Sequence, residues 1–347
     1  MVVPRAGGPV RHTQFRRLAE QLNAGDRLVV NNTKVFPARL LGRRLPGGGA
    51  VECLLLRKLP VPNSQLPSEP RSAEAGTLGV GSLGVGSSQV WEALVHPGQR
   101  LKQGSRIVLE RDGSQLFGEV LERRFFGRRS VRLWTEDGSG VEAMIDRIGH
   151  IPLPPYIKRA DRPSDRERYQ TVYAREAGSI AAPTAGLHFT PALFEELTAR
   201  GIERVEITLH VGYGTFKPIR AQRIEEHVVD PERYHVDAVA AAALTRARAE
   251  GRRIIAVGTT TVRVLESLTI RDEGTIEPAA GETDLFIRPG HEFRLVDGLV
   301  TNFHLPQSSL LVLVAAFAGR ERILEAYREA VVQRYRFYSY GDAMLIL

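Results

Sequence analysis

The chain of 347 residues holds a single cysteine, Cys53, and that scarcity excludes whole chemistries before any motif is read. It allows no intrachain disulfide, no zinc or iron–sulfur site built from cysteines and no radical enzyme resting on a cysteine-held cluster. Cys53 follows Glu52 in the apolar run "VECLLL", which reads as a buried strand. Long apolar runs are missing too. Nothing approaches the roughly 20 residues of a membrane helix, and the N-terminus lacks the apolar core of a signal peptide, so the expected location is the cytoplasm. The catalytic signatures G-x-S-x-G, the P-loop lysine and H-E-x-x-H are all absent. Histidines at 188, 210 and 304 are scattered, and no metal is expected.

Acidic residues are outnumbered. The net charge is +7, carried mostly by arginine, which suits either a generally basic protein or an anionic partner, nucleic acid ahead of a membrane. The length suggests two domains. The opening "MVV" reads as a strand without a lead and suggests residues upstream; a short helix near 13–22 and the strand "RLVVNN" follow. From Phe36 to Arg147 period-2 segments such as "AVECLLLRKL" and "LFGEVLERRF", cut by Gly, Asp and Pro turns, imply a small antiparallel barrel or sandwich. Within it, residues 60–89 are rich in Pro, Ser and Gly and repeat "LGVG", the composition of a disordered hairpin insertion.

Beyond the proline-stiffened "GHIPLPPYIKR", helices are expected at 191–200, 238–250, 261–268, 308–317 and 320–335, and strands at 202–209, 253–257 and 284–287, with a hairpin near Asp297-Gly298. The alternation predicts an α/β fold: a mixed, mostly parallel sheet with helices (1–35 and 151–347), interrupted by an inserted antiparallel β-barrel (36–150).

Glycine, threonine and histidine crowd together after apolar leads in "AAPTAGLHFT", "LHVGYGTFKP", "GTTTVRVLES", "GETDLFIRPG" and "LVTNFHLPQSSL", and "RFYSYGDAM" adds aromatics. Such loops expose amides and hydroxyls to phosphates, riboses or carboxylates, although each alone also suits an ordinary turn. "VVNNTKVFPARL" puts Asn31, Asn32 and Thr33 at a strand end, where α/β sheets hold ligands, or simply in an Asn turn. His188, between Leu187 and Phe189, reads equally as a buried histidine or a site imidazole. Gly212 and Gly214 lack the third glycine of a dinucleotide fingerprint. Arg263 and Glu266 read as an ordinary i,i+3 pair. Phe337, Tyr338 and Tyr340 suit either stacking on unpaired RNA bases or a buried aromatic helix face.

Taken together, "VVNNTKVFPARL", "YQTVYA", "APTAGLHFT", "LHVGYGTF", "VGTTTVRVLE", "GETDLFIRPG", "TNFHLPQSSL" and "SYGDAM", in this order from about Leu18 to the C-terminus, closely resemble the S-adenosylmethionine:tRNA ribosyltransferase-isomerases of queuosine biosynthesis. The combination is highly specific. The chain departs from that pattern in lacking the family's acidic, proline-containing opening segment and in carrying the 60–89 insertion. It also has Asp230, in "HVVDPE", where many members have a second histidine, while His227 and Glu232 fit.

The resemblance implies that the ribosyl part of S-adenosylmethionine, a substrate here, passes to 7-aminomethyl-7-deazaguanine at the tRNA wobble position. The sugar rearranges to give epoxyqueuosine, and adenine and methionine leave. No permanently bound cofactor or metal, no membrane and a monomeric state are expected. On this reading His188 or Asp342 transfers the proton, while Thr184, Thr215, Thr259 and Thr260 orient the nucleoside. Arg39, Asn32 and Glu282 bind the charged ends or the incoming amine, and Gly186, Gly212, Gly214 and His304 complete the binding loops. Arg123, Arg124, Arg128 and Arg129 are the expected tRNA-backbone contacts. A conventional methyltransferase is disfavoured because its glycine-rich first βα turn is not visible. A non-catalytic RNA-binding barrel would leave the His/Thr/Gly loops idle.

Overall fold

A computed structural model describes residues 1–60, 88–124 and 127–347, so the expected spacer lies, from 61 to 87, outside the described residues. The chain divides into two compact units. Met1–Val35, Pro154–Ile157 and Ser164–Leu347 form one; Phe36–Leu153 and Lys158–Pro163 form the other.

Along the chain, β1 (Val2–Val3), a 3-10 helix (Phe15–Gln21), β2 (Arg27–Asn31) and β3 (Thr33–Val35) open the first unit. The second unit is a barrel of β4 (Arg39–Leu45), β5 (Ala50–Leu59), β6 (Gln89–His96), β7 (Arg106–Arg111), β8 (Ser114–Arg123) and β9 (Arg128–Trp134). All its pairings are antiparallel, and the ladder between β4 and β7 closes it in the order β4-β5-β6-β9-β8-β7. Alternate residues fill the interior, among them Leu40, Cys53, Leu55, Ile107, Leu116 and Leu133. Helix α1 (Val141–Ile148), unforeseen in the sequence reading, joins that core through Val141, Met144, Ile145 and Ile148, a spacing that puts four apolar residues on one helical face. Cys53 is buried in β5, and burial pushes its thiol up to about 12, so it stays an unreactive thiol.

The first unit resumes with a single helical turn, α2 (Asp165–Arg168), then β10 (Glu176–Ser179), a 3-10 turn at Thr184–His188, α3 (Pro191–Ala199) and β11 (Glu203–Leu209). There follow β12 (Glu232–Val236), α4 (Ala238–Ala249), β13 (Ile254–Val257), α5 (Thr259–Ser267), β14 (Ala279–Thr283), β15 (Gly298–Asn302), α6 (Ser309–Ala318), α7 (Arg320–Val332) and β16 (Ala343–Ile346). The sheet order is β1-β16-β15-β13-β2-β11-β12-β14. Its middle strands β15, β13, β2 and β11 run parallel, and β16, β12 and β14 add antiparallel neighbours. The expected α/β class with an antiparallel barrel is therefore the observed one.

Period-2 alternation distributes the central strands between two cores. Leu28, Val30, Ile255 and Val257 pack on the side of α3, whereas Val29, Ile254 and Ala256 pack among α4 to α7. Two expectations fail here. The strand expected at 284–287 is instead Ala279–Thr283, which pairs with β12 through backbone groups and so does not need an apolar run. Gly298 begins a strand parallel to β13 rather than a hairpin, because Asp297 Oδ2 accepts from the Ile254 amide and starts the ladder there. Among the described residues no helix is long and apolar enough to cross a membrane.

Candidate active site

The carboxyl ends of β2, β11, β13 and β15 lie on one edge of the sheet; among these parallel strands the next after β2 is its neighbour β11, whereas the next after β13, on the other side of β2, is β15. Such a switch in strand order opens a crevice in an α/β sheet, and the polar motifs fall there.

Asn31 binds both the Leu209 carbonyl (2.9 Å) and, through Oδ1, the Leu209 amide (3.0 Å), stitching β2 to β11 past their ladder. Thr33 Oγ1 meets His210 Nδ1 at 2.9 Å. Asn32 turns the same way: its side-chain amide lies 2.7 Å from the Thr208 hydroxyl and is buried. Its neighbours on β11 thus occupy it as a structural link.

At the end of β15, Asn302 joins three segments. Its Oδ1 accepts from Thr184 Oγ1 (3.3 Å), and its Nδ2 donates to His188 Nε2 (3.1 Å) and to the Tyr338 carbonyl (3.3 Å). An amide nitrogen can only donate, so His188 Nε2 is an acceptor and the neutral ring carries its proton on Nδ1. The ring stacks on Phe15 with centroids 4.9 Å apart. Burial lowers the His188 pKa below the ordinary histidine value, the Asp342 charge partly offsets this, and the imidazole is neutral near pH 7.

His188 and Asp342 both line a cavity of about 440 Å³, together with Tyr335 and Arg336. Asp342 Oδ2 accepts from the Arg336 amide (2.7 Å) and Oδ1 from its guanidinium (2.8 Å). Burial raises the Asp342 pKa, but these bonds outweigh it and hold the carboxyl below its ordinary value, hence ionised. A second cavity of about 100 Å³ is lined by Thr184, Thr215, Lys217, Asn302, His304 and Tyr338, among others. Asn302 lines the second cavity and grips the histidine of the first.

Gly186 sits where no side chain fits: a Cβ there would overlap Tyr173 Oη. Gly186→Ala is expected to displace the 184–188 turn and cost about 1–3 kcal/mol. Urea titration checks the loss, and a raised KM should accompany it; an unshifted midpoint would mean that Tyr173 simply swings aside.

His304 donates its backbone amide to Tyr327 Oη (2.7 Å), and its Nε2 meets Thr301 Oγ1 (2.8 Å). Burial drives its pKa down to about 4, so it serves as a neutral hydrogen-bonding group. Gly212 and Thr215 converge on Glu232, whose Oε1 accepts from the Gly212 amide (2.8 Å) and the Thr215 hydroxyl (3.3 Å). Its other oxygen pairs with Arg263, whose remaining nitrogens donate to the carbonyls of Leu285 (3.0 Å) and Thr283 (3.0 Å). The i,i+3 pairing expected of Arg263 and Glu266 is thus overturned. Glu266 instead accepts the amides of Arg294 (2.9 Å), Leu295 (3.1 Å) and Val296 (3.1 Å), fixing the loop that leads to β15. Gly214 packs on Asp230, the residue standing where the family often has histidine, and Asp230 accepts from Lys217 at 2.7 Å.

Other expected site residues belong to the barrel unit or to β14. Arg39 is on the first barrel strand, in a two-pronged pair with Glu52 (2.8 and 2.9 Å). Glu282 is exposed on β14, opposite Arg233. Arg123 is exposed, Arg124 donates to Ser130 Oγ (2.7 Å), and Arg128 reaches Glu92 (3.4 Å). Arg129 is only 4% exposed and donates to the carbonyls of Gly98 (3.1 Å) and Arg128 (2.9 Å), so it is a structural arginine and not part of a surface patch. The aromatic C-terminal segment is not a helix face either, since α7 stops at Val332. Phe337 packs on Phe303 (5.1 Å), and Tyr340 is 41% exposed.

Asn302, Glu232 and Arg263 carry more of the site than the sequence reading gave them. Asn302 ends its strand in the motif "TNFHLPQSS", as Asn31 ends β2; the Glu232–Arg263 pair spans 31 positions and has no local signal.

A crevice at the carboxyl ends of parallel strands, walled by a neutral imidazole, hydroxyls and an ionised carboxylate, defines an α/β enzyme. Comparison with known proteins narrows the class. The profile of the family described as "Queuosine biosynthesis protein" matches residues 1–346. The S-adenosylmethionine:tRNA ribosyltransferase-isomerase of Desulfitobacterium hafniense is 47% identical over 348 residues, covering 100% of this chain and 92% of the relative. That of Nitratidesulfovibrio vulgaris is 50% identical over 349 residues, covering 100% and 90%. A crystal structure of S-adenosylmethionine tRNA ribosyltransferase from Thermotoga maritima is 37% identical, covers 100% of this chain and 91% of its own, and superposes with a TM-score of 0.49. The chain belongs to the queuosine biosynthesis family and is an enzyme, a ribosyltransferase-isomerase.

Proposed function

We propose that this enzyme transfers the ribosyl moiety of S-adenosylmethionine to the aminomethyl group of 7-aminomethyl-7-deazaguanine at the tRNA wobble position and isomerises it, yielding epoxyqueuosine-tRNA, adenine and methionine. The chemistry needs a base for a proton next to the sulfonium, an acid for the departing adenine, and groups that hold the ribose hydroxyls and the methionine carboxylate. The observation that carries the reading is the Asn302-held imidazole of His188, neutral and facing the same cavity as the ionised Asp342. The basic nitrogen is Nε2, so taking a proton there displaces the Asn302 N–H, and the Asp342 charge favours the imidazolium that results. Thr184 and Thr215, both on the second cavity, offer hydroxyls to the ribose, and Thr259 and Thr260 extend the same edge of the sheet. Arg123, Arg124 and Arg128 are retained as contacts to the tRNA backbone. The enzyme is expected to act as a cytoplasmic monomer without a metal.

Free adenine is the readout. The purified chain is expected to release adenine and methionine from S-adenosylmethionine only when given an anticodon stem-loop carrying 7-aminomethyl-7-deazaguanine. Equal release with the unmodified guanine stem-loop, or methylated RNA in place of adenine, would overturn the reading.

A further inference from the structure

Helix α5 begins at the carboxyl end of β13, in the middle of the parallel strands, and no side chain among the described residues caps it. Its N-cap is Gly258, held at φ +89°, with no side chain to offer and no acidic residue in the first turn. A helix start leaves its first amides without intrahelical partners, and burial makes that costly. Here the costly arrangement is present: Thr259, Thr260 and Thr261 are 5%, 7% and 0% exposed. Among the described residues no acceptor is found for their amides, the first turn's bond being that of Val262 to the Gly258 carbonyl (3.3 Å).

An independent feature marks the same spot. Thr260 Oγ1 is buried with no hydrogen-bond partner among the described residues. The next hydroxyl on the helix shows the usual alternative, Thr261 Oγ1 bonding back to the Val257 carbonyl at 2.7 Å. Thr260 Oγ1 turns toward the mouth of the helix instead. A Cβ placed on Gly258 would lie 3.6 Å from it and 3.8 Å from Ala185 Cβ. The start of the helix therefore lies against the 184–188 turn, whose first residue, Thr184, lines the second cavity.

Unpartnered amides, the positive end of a helix dipole and an orphaned hydroxyl are a complementary seat for one oxyanion. We infer that the start of α5, with Thr260 Oγ1, binds an anionic oxygen group of a substrate, the α-carboxylate of S-adenosylmethionine or a phosphate of the tRNA. This rests on the reaction proposed above and assigns one charged end within it. The glycine at 258 follows from its φ of +89°, a conformation that residues with a side chain rarely adopt.

Thr260→Val keeps the shape and β-branching while deleting the hydroxyl. Binding of S-adenosylmethionine and of its decarboxylated analogue to the full chain is measured by calorimetry, and KM for the modified stem-loop by adenine release. If the seat holds the carboxylate, S-adenosylmethionine binds about tenfold more weakly while the analogue is unaffected. If it holds a phosphate, both small molecules bind as before and KM for the stem-loop rises about tenfold. Equal weakening of S-adenosylmethionine and its analogue, or no change in any of the three, overturns the inference. Wild-type enzyme that binds S-adenosylmethionine in this way but releases no adenine would refute the proposed reaction and leave the seat standing.

Discussion

Replacing His188 by alanine is expected to lower the rate of adenine release by about 10²- to 10⁴-fold, the usual contribution of a positioned general acid–base group. Among the described residues the ring's polar contact is one hydrogen bond from Asn302, so the unfolding midpoint should move little. Wild-type turnover by His188→Ala would remove the imidazole from the chemistry and leave Asp342 as the proton-transfer group. The pH profile gives a second check. Burial holds the His188 pKa below 6.5, so the neutral, proton-accepting form is lost only as pH falls beneath the ordinary histidine range, and kcat/KM should decline on that acidic limb. Asp342 raises the His188 pKa. Asp342→Asn should therefore move the limb to still lower pH, whereas a shift to higher pH would contradict the electrostatic coupling. Asn302→Leu, which deletes the donor to Nε2, should lower kcat more than it raises KM.

The second large effect concerns the buried pair under the Gly212–Thr215 turn. Glu232 is 4% exposed and Arg263 9%. Burial raises the Glu232 pKa, and Arg263, the Gly212 amide and Thr215 pull it back, so the carboxylate exists only because its partners are in place. Removing one partner leaves an uncompensated charge. Arg263→Met or Glu232→Met alone is expected to cost about 3–5 kcal/mol of stability, seen as a large fall in the urea midpoint. The double Met variant should recover much of that loss, because two apolar side chains of similar volume carry no charge to bury. Its activity should not recover in step, since the Gly212 amide and Thr215 hydroxyl would still lack their acceptor and KM should stay raised. A double variant restored in both stability and KM would reduce the pair to a packing device. Single variants costing under about 1 kcal/mol would show the charges to be solvated.

How much of this was legible differs from element to element. The α/β-plus-barrel fold class could be read because strands alternate and helices are spaced by three and four, patterns written in neighbouring residues. Capping is a local feature of the same kind: Thr190 precedes Pro191 at the start of α3, and Thr190 Oγ1 accepts from the Leu193 amide at 3.2 Å. Where apolarity and backbone pairing part company the reading failed. β14 runs through Ala279–Thr283 and not through the apolar residues just after it, because the ladder with β12 and not hydrophobicity defines it. Helix α1 was overlooked among strands although its apolar spacing was present.

Sequence by itself determined which residue types were available, above all the glycine–threonine–histidine loops, and removed cysteine chemistry. Only the tertiary structure decided what each would do. It brought Asn302 to His188 across 114 positions and Arg263 to Glu232 across 31, sank Arg129 among carbonyls, and left Thr260 Oγ1 without a partner. Hydrogen bonds and ion pairs depend on distances of a few ångströms between segments remote in the chain. No periodicity encodes such distances; they follow from how the sheet orders its strands and where each strand ends.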